Sequence, residues 1–251
     1  MAGHSHWAGI KHKKALVDAK RGKLWSKLAK AIIVAAKMGG GDPDANLRLR
    51  YAIDDAKAVS LPKENIQRAI KRGTGETEGA ALEEVLYEGY GAGGVAILCE
   101  VLTDNRNRTA PEIRKVFELS DGKLGGAGCV AWMFDSKGLF IVPAEKADED
   151  KLMELALEAG ADDVQRIAEK FEITCDPALF RDVRQALENA GIAPEVSQLT
   201  RLPKNNVDIT DPETARKVLK LMERLDDHDD VQNVAANFNI PDEVLKAIGE
   251  G

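Results

Sequence analysis

LFIVPAEKADEDKLMELALEAGADDVQRIAEKFEITC, residues 139–175, is the stretch whose reading decides the fold. Leu139 to Val142 is a short apolar run after the turn signal Asp135-Ser136-Lys137-Gly138, which predicts a strand. A helix over 148–159 follows, closed by Gly160. Strands are expected near 163–168 and 171–175. A helix over 177–190, closed by Gly191, leads to a strand near 196–202. Counted from Leu139, the order is β-α-β-β-α-β, the ferredoxin-like order.

The flanks repeat the pattern. Val95 to Leu102 is a continuous apolar run between Gly93-Gly94 and Asp104-Asn105, which predicts a buried strand. A helix over 109–119 and a strand over 129–134 follow it. After residue 205 come a strand over 206–209, a helix over 212–225 and a strand over 231–237. Joined, these pieces again read β-α-β-β-α-β. Residues 20–73 instead carry helical spacing: Leu24, Leu28, Ile32 and Ala35; then Leu49, Ile53 and Ala56; then Ile66, Ala69 and Ile70. The expected fold class is therefore α+β with three domains. Residues 1–78 form a basic helical domain, 79–136 with 205–251 a discontinuous ferredoxin-like domain, and 137–204 a ferredoxin-like domain inserted into it.

Charge is segregated along the chain. Residues 1–73 hold 16 Lys+Arg against 6 Asp+Glu, and the remainder holds 19 against 36, so the overall −7 hides a basic head on an acidic body. A positive surface attracts phosphates and releases their counterions, so the head points to a polyanionic partner. Cys99, Cys129 and Cys175 have no metal-site spacing and read as buried apolar residues. The longest apolar stretch, Ala31 to Ala36, lies between Lys30 and Lys37 and is too short for a membrane span. A cytoplasmic protein is expected, with no membrane contact.

The head supplies most of the candidate contacts. Trp7, Lys11, His12, Lys13 and Lys14 form a basic arm with aromatic rings to stack on bases. Lys20, Arg21 and Lys23 continue it. Lys20, Lys23, Lys27, Lys30 and Lys37 fall on one stripe of the first helix, and Lys63, Arg68, Lys71 and Arg72 on the outer face of the third. The arm has no helix with Asn, Gln and Arg at base-reading spacing, which favours phosphate and shape over base recognition. Asp104-Asn105-Arg106-Asn107-Arg108-Thr109 opens a helix, and Arg106 and Arg108 there could meet an anion, with Asn107 or Asp104 as cap.

Other motifs point away from chemistry. The glycine stretches 89–94 and 122–128 lead into strands, not helix N-termini, and so are not phosphate loops. His4, His6 and His12 lack the ligand spacing and thiols of a zinc site, so no metal and no cofactor are expected. Asp226-Asp227-His228-Asp229-Asp230 reads as a solvated acidic turn. No paired catalytic carboxylates, Ser-His-Asp set or Cys-His dyad is discernible, and no small-molecule substrate is expected.

The sequence resembles the YebC family. The resemblance rests on Ala2-Gly3-His4-Ser5 with Trp7-Ala8, Ile10-Lys11-His12-Lys13-Lys14, Asp18-Ala19-Lys20-Arg21-Gly22-Lys23 and Gly39-Gly40-Gly41-Asp42-Pro43. It continues through Pro62-Lys63, Asn65-Ile66, Lys71-Arg72-Gly73-Thr74-Gly75, Tyr87-Glu88-Gly89-Tyr90-Gly91, Leu102 to Thr109 and Leu124-Gly125. Gly9 stands where the family often has Asn, and Leu47 where it often has Pro. The resemblance implies the same three-domain plan and a non-enzymatic nucleic-acid binder, described either as a DNA-binding transcriptional regulator or as a ribosome-associated translation factor. The expected partner is ribosomal or structured RNA, with DNA as the alternative and ribosomal proteins as further contacts.

Overall fold

The computed structural model describes residues 21–78 and 81–249. Its helices are α1 (Arg21–Gly39), α2 (Leu47–Ala58), α3 (Lys63–Gly73), α4 (Arg106–Glu118), α5 (Glu149–Glu158), α6 (Phe180–Asn189), α7 (Pro212–Asp226) and α8 (Asp242–Gly249). Its strands are β1 (Glu83–Tyr90), β2 (Ala96–Thr103), β3 (Lys123–Leu124), β4 (Phe134–Pro143), β5 (Ala161–Ile167), β6 (Lys170–Cys175), β7 (Val196–Pro203), β8 (Val207–Asp208), β9 (Val231–Ala236) and β10 (Phe238–Asn239). The fold is α+β, with antiparallel main sheets. No described helix is long and apolar enough to cross a membrane.

Helices α1 to α3 bury Ile32, Ala35, Leu49, Ile53 and Ile66 against one another. Asn46 is the cap of α2: its side chain accepts from Leu49 N at 3.1 Å and donates to the carbonyls of Ala35 and Gly40, both at 2.8 Å. That single side chain ties the end of α1 to the start of α2. Gly73 lets α3 end directly against α1, because a Cβ there would overlap the carbonyl oxygen of Ile33.

The sheet of order β5-β6-β4-β7 has the strand arrangement that the β-α-β-β-α-β reading requires. Phe140, Val142, Phe171 and Ile173 face Leu152 of α5 and Val183 and Leu187 of α6. The other sheet runs β3-β1-β2-β9. Strand β2 reads as one apolar run because both of its faces are covered. Ile97, Cys99 and Val101 pack with Ile113 and Phe117 of α4 and Leu221 of α7. Ala96 and Leu98 pack with Val130 and Phe134, and Leu102 joins the α1–α3 core.

The structure corrects the sequence reading in three places. Residues 129–134 are not a sheet strand; Ala131–Met133 is a turn of 3-10 helix, and the missing place beside β2 is taken by β1, paired from Glu83↔Thr103 to Tyr90↔Ala96. Residues 135–138 are not a turn but the middle of β4, because β7 pairs with it continuously from Phe134↔Pro203 to Ile141↔Val196. Ladder pairing there overrides the local turn propensity of Asp-Ser-Lys-Gly. The expected boundary at 136/137 therefore falls inside one strand. The short strand at 207–208 pairs in parallel with β10 and stands outside the main sheet.

Candidate nucleic-acid interface

The lysine stripe of α1 is present, and the structure gives part of it an internal partner. Lys23, Lys27 and Lys30 sit at i, i+4 and i+7 and so share a face. That face meets the end of α7 and the turn after it. Lys23 Nζ donates to Asp227 O at 3.1 Å and lies 3.7 Å from Asp229 Oδ1. Lys27 Nζ donates to Asp226 O, and Lys30 Nζ to Asp229 O at 3.1 Å. The last carbonyls of a helix lack intrahelical partners and carry the negative end of its dipole. Lys23 and Lys27 of one helix thus cap the C-terminus of another, and Lys30 holds the turn that follows it. Further along α1, Lys37 Nζ donates to Leu82 O at 3.2 Å.

Asp230 closes this contact. It was expected in a solvated acidic turn, but its side chain is only 5% exposed. Lys30 Nζ lies 2.5 Å from Oδ1, while Arg108 Nη2 at 2.8 Å and Thr109 Oγ1 at 2.7 Å bond Oδ2. Burial alone would push this carboxyl up; the hydrogen bonds from Lys30, Arg108 and Thr109 outweigh it and hold the carboxyl well below the usual range. His228 sits in the same turn, with Nδ1 accepting from Asp230 N and Nε2 3.1 Å from Glu112 Oε2. An open cleft of about 740 Å3 lies over these groups, lined by both signs, including Lys23, Lys115, Asp104 and Glu112.

The two arginines opening α4 diverge. Arg106 is 63% exposed, with Glu83 3.8 Å away. Arg108 is bound to Asp230 and to Asp104 at 3.2 Å, so its role in this conformation is structural. It does face the α1 stripe, since it shares Asp230 with Lys30. The cap of α4 is Asn105, not Asn107 or Asp104: its side chain accepts from Arg108 N at 3.1 Å.

Helix α3 presents the cations without such partners. Lys63, Arg68 and Lys71 are exposed, and among the described residues no ion pair engages them. Arg72 is half-buried beside Arg68 in a groove between α1 and α3 floored by Trp25, Ala29 and Ile33. Of the remaining expected contacts, Trp7, Lys11, His12, Lys13, Lys14 and Lys20 lie outside the described residues, and Arg21 is the first residue of α1.

A second feature was not singled out from the sequence. Glu88, on β1, is buried, and its carboxylate accepts from Gly128 N at 2.6 Å, Val130 N at 2.8 Å and Ala131 N at 2.7 Å. Burial would raise this carboxyl, and the three backbone donors lower it on balance. The loop so clamped carries Trp132, which is 66% exposed.

A family model described as the TACO1/YebC protein N-terminal domain matches residues 5–76, and one described as the TACO1/YebC second and third domain matches residues 82–238. The chain belongs to the TACO1/YebC family. A probable transcriptional regulatory protein of Rhodopirellula baltica is 60% identical over 244 residues, covering 97% of this chain and 98% of its own. One of Geobacter sulfurreducens is 56% identical, covering 99% and 100%. The crystal structure of a conserved hypothetical protein from Aquifex aeolicus, 52% identical, superposes with a TM-score of 0.86 over 96% of this chain and 99% of that one.

In this TACO1/YebC chain the contact between α1 and the acidic turn crosses from the first matched segment to the second. Lys23, Lys27 and Lys30 belong to 5–76, while Arg108 and Asp226 to Asp230 belong to 82–238. The stripe could be read from helical spacing. Its partner could not, because some two hundred residues separate them. For Trp132 the available signal was a tryptophan, rare here, four residues after a glycine-rich stretch; for Glu88, one of three glutamates in β1, periodicity offered none.

Proposed function

We propose that this chain is a non-catalytic, nucleic-acid-binding regulator of gene expression that grips structured or ribosomal RNA through its basic helical end, within a three-domain plan in the cytoplasm. The observation that carries the reading is the exposed set Lys63, Arg68 and Lys71 on α3, in a chain whose first 73 residues are basic and whose remainder is acidic. Point charges on long side chains suit phosphates, and their affinity falls steeply with salt. The acidic body would repel the same polymer, or meet basic ribosomal protein, and so orient it.

A second reading, duplex DNA, gains one observation of its own. Helices α2 and α3 are joined by four residues, 59–62, and the exposed face of α3 includes Gln67 and Arg68. Such side chains on the second helix of a helix-turn-helix read base edges. The relatives' name, probable transcriptional regulatory protein, points the same way. A competition among ribosomes, structured RNA and duplex DNA over a salt series separates the two. Retention of ribosomes or RNA at physiological salt against excess DNA is expected. One DNA sequence bound about a thousandfold above other DNA, the scale of operator specificity, would favour transcription instead.

A further inference from the structure

Trp132 is exposed in a place where the chain has gone to some length to hold it still. Its indole Nε1 donates to Cys129 O at 3.3 Å, and Tyr90 OH donates to the same carbonyl at 3.2 Å. Two aromatic rings therefore converge on one backbone oxygen. That oxygen belongs to the loop which buried Glu88 fixes through three backbone N–H groups, and Gly125 N adds a fourth tie to Glu88 O at 2.7 Å. The pre-ordered indole would lose little conformational entropy on contact.

The neighbourhood says what the ring faces. Tyr90 pairs directly with Lys123 across β1 and β3, so both side chains leave the same face of the sheet. Lys123 is exposed and has no ion pair among the described residues. The other exposed positions of the loop are Gly125, Gly126, Ala127 and Gly128, which offer little apolar area to a protein partner. An indole face, a phenol and a free ammonium beside open backbone match a base and its phosphate.

The geometry points to Trp132, with Tyr90 and Lys123, as a stacking platform for an unpaired nucleobase of single-stranded RNA, separate from the cations of α3. This rests on the reading that the chain binds nucleic acid, and adds to it a single-stranded subsite in the segment 82–238, outside the basic helices.

The test compares wild type, Trp132→Ala and Trp132→Phe for binding of an oligouridine 12-mer, an oligothymidine 12-mer and a fully paired RNA duplex, by fluorescence anisotropy with labelled oligomers. Trp132→Ala is expected to weaken oligouridine binding about 5- to 100-fold, the range one stacked base is worth. Duplex binding should stay within about twofold, and Trp132→Phe should recover most of the loss. An equal loss on oligothymidine would extend the platform to any unpaired base. Unchanged oligouridine affinity in Trp132→Ala overturns the platform. So does an equal loss on the duplex, and so does a change in self-association by sedimentation without a change in RNA affinity. Wild type that binds neither single strand nor duplex overturns the nucleic-acid reading itself, a distinct outcome.

Discussion

Replacing Asp230 by Asn tests the contact between α1 and the acidic turn with almost no change of shape. The carboxylate meets Lys30 at 2.5 Å, Arg108 at 2.8 Å and Thr109 at 2.7 Å, and it is nearly fully buried. Removing one member of a fully buried ion pair costs about 3–5 kcal/mol. Here Lys30 and Arg108 keep other acceptors, Asp229 O and Asp104, and both are partly solvated, so the loss should be lower. A charge-assisted bond is worth about 1.5–3 kcal/mol, and the Asn amide turns a donor toward donors, so about 2–3 kcal/mol is expected. The sign with pH follows from the lowered carboxyl. A group ionised more easily in the folded chain stabilises it fully above the unfolded value, about 3.9, and loses that contribution as pH falls further. Urea unfolding at pH 7 should therefore separate wild type from Asp230→Asn, and the gap should shrink steadily as pH falls below about 4. A double-mutant cycle with Lys30→Met should show coupling. A gap below about 0.5 kcal/mol at pH 7, or one that persists unchanged at pH 2, would refute the assignment.

Other outcomes follow from the same geometry. Asp226→Asn with Asp229→Asn should remove the ion pairs of Lys27 and Lys23 while leaving their bonds to main-chain carbonyls, so nucleic-acid affinity should rise and its salt slope steepen by at most about two contacts' worth in a titration series. Lys63→Ala, Arg68→Ala and Lys71→Ala together should weaken binding and flatten that slope by up to about three contacts' worth, with an unchanged melting curve. Asn105→Ala should lower stability by about 1 kcal/mol by denaturant titration, whereas Asn107→Ala, outside the cap, should change it by under about 0.5 kcal/mol.

How far the chain could be read tracks how local each cause is. Helices α5 to α7 and strands β5 to β7 were legible because each carries one apolar period and ends at Gly160, Gly191 or a polar turn. Strand β1 was not. Glu83, Glu84, Glu88 and Gly89 interrupt its alternation, and Glu88 is tolerated inside only because a loop some forty residues later brings three N–H donors to it. The Asp-Ser-Lys-Gly turn signal failed for the same reason, since β7 supplies the pairing from sixty residues away. Helix α8 escaped notice because its apolar set, Val244, Leu245 and Ile248, is short and gains its meaning only against the α7 core. In the candidate site, the cations of α1 and α3 were visible as stripes. Which of them are spent on Asp226 to Asp230 depends on a docking that periodicity does not encode.

Strand β4 has a mechanical consequence. Its first residue, Phe134, is packed under β2 of one sheet, and by Gly138 the same strand is hydrogen-bonded into the centre of the other. Beside it Arg201 reaches Glu100 at 3.2 Å and Asn233 reaches Thr200 at 3.1 Å, so the two sheets are also stitched along an edge. A sheet joined to another by a loop swings; one joined by an uninterrupted strand behaves as a stiff shaft. A torque applied at the far tip of the β5-β6-β4-β7 sheet would be delivered to β2, and through Leu102 to the helices that carry the cations. Pulled apart, the two sheets should resist as a single mechanical element, not unzip one after the other.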